Sequence, residues 1–199
     1  MMEKERITIE QWEFPLYRCH TLIVGSGAAA LNCACHLVNF GVQDVLIVTA
    51  ELGGGTSSQS GSDKQTYYKL SLAGEEKDSV YEMARTLFAG GAMHGDHALI
   101  EAALSPQEFF HLVELGVPFP HNAFGGYVGY KTDHDPKQRA TSSGPWTSQQ
   151  MYTKLLGQVR KLGVPLLDQH EVIFLLTEQE GEESRVVGAI AIDQTKAAA

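Results

Sequence analysis

Gly25-Ser26-Gly27 stands between the apolar run Thr21-Leu-Ile-Val24 and the helix-forming stretch Ala28-Ala-Ala-Leu31. Residues of these types at this spacing can hold phosphate. Glycine at the turn lets the backbone approach a pyrophosphate with no Cβ in the way. The free N–H groups and positive dipole end of the following helix then face the negative charge. With Ala30 as the small third member, the stretch meets the Gly-x-Gly-x-x-Gly/Ala form of a dinucleotide-binding fingerprint, set between a strand and a helix as that chemistry requires. Gly25, Ser26, Gly27, Ala28 and Ala29 are the candidate contacts. A glycine-rich turn that merely joins a strand to a packed helix has the same local sequence, so the surrounding elements must decide.

Those elements form a repeatable unit. Thr21 to Gly25 reads as a buried strand, Ala28 to Phe40 as a helix stopped by Gly41, and Asp44 to Thr49 as a second apolar strand. A right-handed crossover places the two strands side by side with their C-terminal ends on one crevice. Many such units carry an acidic residue at the end of the second strand to hold the adenosine ribose. Here Thr49 and Ala50 take that place, with Glu51 two residues beyond, which weakens a nicotinamide reading. Thr49 and Ala50 are candidate contacts through hydroxyl and backbone groups, and Glu51 is within reach from the loop. The following Leu52 to Ser62 has almost no side-chain bulk. Gly54, Gly55, Thr56, Ser57, Ser60, Gly61 and Ser62 suit a loop whose backbone lies against a flat or phosphorylated ligand. A flexible linker shares this composition, but a linker does not belong directly after a buried strand inside a compact unit.

The chain has 199 residues, 43% of them hydrophobic, enough for one large domain with a sizeable core. Fifteen Lys+Arg against twenty-four Asp+Glu give a net charge of −9. That balance argues against nucleic acid or an anionic membrane as partner. Cys19, Cys33 and Cys35 are an odd set without disulfide-framework spacing. They read as small core fillers in a reduced, cytoplasmic compartment. On a helix the Cys33 and Cys35 thiols point about 200° apart, a poor chelate, and no metal is expected. Residues 1–17 lack the apolar region of a signal peptide, and no run approaches the about 18 apolar residues of a membrane span.

Residues 1–20 read as an N-terminal arm whose Trp12, Phe14 and Leu16 pack on the main body as an edge strand. Glu75 to Met93 has helical periodicity. Asp96 suits a cap for the next helix, and Ser105-Pro-Gln-Glu108 has the form of a helix start, with Gly116 as the stop. His94 and His97 share a helix face but lack further metal ligands. Residues 119–146 read as an irregular loop in which His134 and Arg139 are solvated charges. Thr147-Ser-Gln-Gln150 resembles a capping box for a helix ending at Gly163, and strands at Val164 to Asp168, Glu171 to Glu178 and Arg185 to Asp193 suit a β-meander. The expected fold is α/β: a Rossmann-like βαβ unit with additional helices and a C-terminal β-meander, incomplete at its C-terminus.

Gly25 to Ala30, the apolar second strand and Gly53-Gly-Gly-Thr-Ser-Ser-Gln-Ser-Gly61 together resemble the opening of the FAD-dependent succinate dehydrogenase/fumarate reductase flavoprotein family, which includes L-aspartate oxidase. Thr86-Leu-Phe-Ala-Gly-Gly91 with Asp96, and Glu114-Leu-Gly-Val-Pro-Phe119, are similar to phrases that follow the flavin loop there. The likeness runs roughly from Thr21 to Ile192. It implies FAD as cofactor, an FAD-binding domain over residues 21–199, and hydride transfer at a small-molecule substrate bearing a carboxylate, such as a dicarboxylate or amino acid. It also implies that Val172 offers backbone groups to the adenine and that a basic residue near Arg139 precedes the next helix. Gly125-Gly-Tyr-Val-Gly-Tyr130 departs from the family's Gly-Gly-His-Ser phrase. No His stands near Gly54 and Gly55, where respiratory members attach flavin, so the resemblance implies non-covalent FAD. Lys196-Ala-Ala-Ala199 reads as a strand cut short, with the substrate-capping domain and its catalytic residues beyond it; no catalytic residue is named, and the fragment alone is expected to be inactive. The electron donor or acceptor is left open. Two other readings stand beside this one: an NAD-binding dehydrogenase domain, and a non-catalytic nucleotide-binding or interaction module if the chain is complete.

Overall fold

The computed structural model describes residues 4–133 and 135–195. His134 and Lys196-Ala-Ala-Ala199, both singled out in the sequence, lie outside them. The residues group into two compact units, Met1–Gln59 with Leu155–Ala199, and Ser60–Lys154.

The first unit is built on three parallel strands, β3 (Thr21–Val24), β4 (Val45–Val48) and β8 (Leu166–Leu167), in the order β3-β4-β8. The central strand is buried throughout, as its unbroken Val-Leu-Ile-Val demands. Helix α1 (Ala28–Asn39) joins β3 to β4 and buries Leu31, Ala34 and Cys35, which the helical period places on one face. Gly41, at φ +90°, follows its end. The expected βαβ unit is therefore present. An antiparallel hairpin, β1 (Lys4–Ile9) and β2 (Trp12–Tyr17), precedes it. Of the residues expected to pack, Trp12 is 62% and Phe14 45% exposed, while Leu16 is half-buried; the two strands pair only with each other.

The last strand segments divide. Val164 to Asp168 supplies β8 to the parallel sheet, bonded to β4 through Ile47 N–H to the Pro165 carbonyl at 3.0 Å. β9 (His170–Glu180) and β10 (Glu183–Asp193) then form a two-stranded antiparallel ribbon with register shifts around Gly188 and Ala191, in place of a three-stranded meander.

The second unit joins α3 (Val80–Ala89) and α4 (Gly95–Glu114) with an antiparallel sheet in the order β5 (Tyr67–Tyr68), β7 (Asp135–Thr141), β6 (Tyr130–Thr132). The segment expected to be irregular thus contains two strands. Helix α3 starts later than its periodicity suggests, at N-cap Ser79: its Oγ accepts from Glu82 N–H at 3.2 Å and donates to the Glu82 carboxylate, while its own N–H donates to Asp78 Oδ1 at 2.8 Å. Helix α4 begins at N-cap His94, with Asp96 in its first turn, and runs straight through Ser105-Pro106. The reason is local. Pro106 has no N–H for the Ala102 carbonyl, and the Ser105 hydroxyl donates to that carbonyl at 3.0 Å instead. Thr147 is the first residue of α5 (Thr147–Lys161) and not its cap, and Gly163, at φ +72°, follows the helix as expected.

Candidate functional site

The C-terminal ends of β3 and β4 bring the sequence-predicted residues of the first unit together. Gly25 sits at φ +100°, a conformation that favours glycine, and its N–H donates to the Val48 carbonyl at 2.7 Å. Ser26 Oγ and Thr49 Oγ1 hydrogen-bond at 3.0 Å, both side chains buried, which locks the glycine turn to the end of β4. Thr49 also extends the sheet: its N–H donates to the Leu167 carbonyl and its carbonyl accepts from His170 N–H, each at 2.9 Å. Ala50 is exposed beyond it.

The small-residue loop returns to the same turn. Ser57, in the short helix α2 (Thr56–Gln59), accepts the Ala28 N–H at 3.1 Å, and a Cβ on Gly27 would be 3.4 Å from its hydroxyl. The loop holds its own shape through Ser58 Oγ, which bonds the Gly53 and Gly55 carbonyls, and Gln59 Nε2, which donates to Gly53 O. Glu51 folds its carboxylate over Gly54. Ser60, Gly61 and Ser62 belong to the second unit. Val172, two residues after the His170 contact, lines an apolar cleft of about 790 Å³ with Val24, Val48 and Leu175.

Two features fit this turn to a pyrophosphate-bearing ligand. No protein atom stands within 4 Å of where side chains on Gly25 or Gly55 would project, so backbone can be approached closely there. Helix α1 starts at Gly27 with no side chain of its own covering the N-terminus and no acidic residue in its first turn, which leaves the positive end of its dipole unopposed by local charge.

Other polar residues carried no sequence signal strong enough to single out their role. Asp168, just past β8, accepts Leu52 N–H at 2.8 Å and ties the loop to the third strand end; an acid directly after an apolar strand was the available clue. Arg139, expected to be solvated, is 1% exposed. It donates to both Asp78 carboxylate oxygens, at 2.6 and 2.9 Å, to Asp135, and to the Thr86 hydroxyl. Burial alone would raise the Asp78 carboxyl pKa, but the Arg139 guanidinium and the N–H groups of Ser71 and Ser79 outweigh it and hold it below the usual range. Lys69 is buried above the Phe109 ring, its Nζ donating to the Leu70 and Tyr127 carbonyls, and burial lowers its pKa. Of the three cysteines only Cys35 is a core filler; Cys19 is half-buried and Cys33 exposed. Burial pushes the Cys35 thiol up to about 11, so it stays protonated and unreactive. His94 and His97 rings lie 5.5 Å apart on the surface, and no group of three metal-ligating residues occurs among the described residues.

A parallel sheet whose first strand ends in a left-handed glycine, opening directly onto a helix N-terminus, defines a dinucleotide-binding domain of α/β class. The comparisons narrow that class. Residues 20–198 match the model of the FAD binding domain, so the chain belongs to this family and FAD is its cofactor. It is 26% identical over 169 residues to an L-aspartate oxidase of Streptomyces coelicolor, covering 83% of this chain and 28% of that one. An L-aspartate oxidase of Vibrio cholerae is 25% identical over 183 residues, covering 87% and 33%. A flavocytochrome c3 fumarate reductase superposes with a TM-score of 0.70 at 18% identity, over 88% of this chain and 30% of the other, a likeness of fold. The chain thus spans about a third of the length of the curated relatives it matches.

Proposed function

We propose that this chain is the FAD-binding region of a flavoprotein oxidoreductase that moves a hydride at a bond next to a carboxylate, in a dicarboxylate or an amino acid. The observation that carries the cofactor assignment is the Ala28 N–H to Ser57 Oγ bond. It gathers the glycine turn and the small-residue loop, far apart in sequence, around one helix N-terminus. Bound FAD supplies the hydride chemistry. The chain's own residues bind and orient it: the turn of Gly25, Ser26, Gly27, Ala28 and Ala29 lies at the pyrophosphate, its Gly25 and Ala28 N–H groups held by the Val48 carbonyl and Ser57 Oγ and so shaping the turn rather than meeting the ligand, and Thr49 and Ala50 border the ribose. Gly54, Gly55, Thr56 and Ser57 face the ligand from the loop, and Val172 offers backbone groups to the adenine. No residue of this chain is assigned a proton-transfer role. The names of the relatives, L-aspartate oxidase and fumarate reductase, support a carboxylate-bearing substrate.

Cys19, Cys33 and Cys35 are all free thiols, which supports a reducing, cytoplasmic location. Binding is proposed to be non-covalent, because the loop offers Gly54 and Gly55, not a nucleophile, beside the turn. The test is to purify the full chain and record its visible spectrum, then precipitate it with acid. Oxidised-flavin bands with the flavin recovered in the supernatant are expected. A colourless protein that binds NAD overturns the FAD assignment, and flavin that stays in the pellet overturns the non-covalent one.

A further inference from the structure

Between β8 and β9 the chain turns through Asp168 and Gln169, and one carboxylate oxygen there takes two backbone donors. Asp168 Oδ1 accepts Gln169 N–H and Leu52 N–H, each at 2.8 Å. Both partners belong to the first unit, and each leads into a different segment of the proposed cofactor site. Gln169 stands three residues before Val172, and Leu52 opens the loop that carries Gly54, Gly55, Thr56 and Ser57. The turn is fixed from several sides. Gln169 sits at φ +56°, a left-handed conformation that persists in a residue with a Cβ only where its neighbours impose it. Its carbonyl accepts Gln194 N–H at 2.8 Å, and the next residue, His170, donates its N–H to the Thr49 carbonyl at 2.9 Å. The loop has no such internal stiffness. Gly53, Gly54 and Gly55 follow Leu52 directly, and glycine loses more freedom on ordering than any other residue. Ser57 ties the far end of this stretch to Ala28 N–H, and Asp168 ties its entrance. Asp168 is itself exposed, so a smaller side chain there opens no cavity.

We propose that Asp168 is a positioning residue for the FAD site: by holding Leu52 against the turn that leads to Val172, it orders the triple-glycine loop before the cofactor arrives. Ordering done in the free protein does not have to be supplied by binding. This role rests on the cofactor reading of Gly54 to Ser57 and Val172. Asp168 acts through the loop backbone and not by contact with the nucleotide.

The full chain and its D168A, D168N and D168A/Q169G variants are compared by FAD titration and by thermal unfolding without FAD. D168A is expected to weaken FAD binding about tenfold, and D168N, which keeps an acceptor oxygen, to recover most of the loss. Glycine at position 169 relieves the left-handed backbone. The double variant therefore regains the unfolding midpoint lost in D168A but not its FAD affinity, because Leu52 is still unheld. Unchanged affinity in D168A overturns the proposal while leaving the FAD reading intact. Affinity that returns together with the midpoint in D168A/Q169G overturns it too, by reducing Asp168 to a support for its own turn. A D168N that binds as weakly as D168A overturns it by making the charge, not the hydrogen bond, responsible. A wild-type chain that takes up no flavin overturns the FAD reading and this proposal together. If D168A does not fold, the double variant is read in its place, and wild-type affinity there overturns the proposal.

Discussion

Arg139 and Asp78 show how burial changes what a charged residue is for. Their side chains are 1% and 0% exposed and joined by two hydrogen bonds, with Asp135 completing the group. A buried guanidinium is tolerated only while it is paired. Replacing Asp78 with Asn leaves Arg139 short of one counter-charge, and a loss of about 3–5 kcal/mol is expected in denaturant unfolding. The sign with pH follows from the lowered Asp78 pKa. Its stabilisation is fully present above the ordinary carboxylate range and is lost as pH falls through the lower folded-state value. D78N should therefore lose part of the wild type's pH dependence in that acid window. A midpoint for D78N equal to the wild type at neutral pH would contradict the structural role.

At the scale of elements, α1 is notable for an N-terminus served from elsewhere in the chain. Gly27 has no side chain to cap with, and Ser57 of α2 accepts the Ala28 N–H. S57A is expected to cost about 0.5–2 kcal/mol, the usual range for losing a cap, read as a lower unfolding midpoint; S57T, which keeps the hydroxyl, should recover it. The helix boundaries illustrate which sequence signals survive. Gly41, Gly116 and Gly163 follow the helices they were expected to stop, each at positive φ. Ser105-Pro106 misled, because the same two residues that start a helix also continue one when the serine hydroxyl replaces the missing proline donor at Ala102. Only the position of the preceding turn distinguishes the cases.

For the whole molecule, the cleft of the first unit presents apolar side chains to solvent. It is lined by Leu22, Val24, Leu46 and Val48 of the sheet and by Leu175 and Val187 of the ribbon. Val24, Leu175 and Val187 are each more than half exposed. A contiguous apolar surface of this kind binds hydrophobic dyes. The chain is expected to enhance anilinonaphthalene sulfonate fluorescence at neutral pH under native conditions, and V187D should reduce that signal. Fluorescence no higher than with a sealed globular control would show that the surface is covered.

The βαβ unit, its glycine turn and its FAD family were all legible in the sequence, because they depend on local rules: apolar runs for buried strands, a 3.6-residue period for the helix, and glycine where backbone must turn. Long-range contacts were not legible. Nothing within Trp12 or Phe14 reveals that a hairpin pairs only with itself, nothing within Arg139 reveals two aspartates 61 and 4 residues away, and nothing within Asp168 reveals the Leu52 amide 116 residues back in the chain. Sequence alone determined which residues can approach a phosphate. Tertiary structure decided which of them meet, since burial and charge pairing depend on neighbours that only the folded chain supplies.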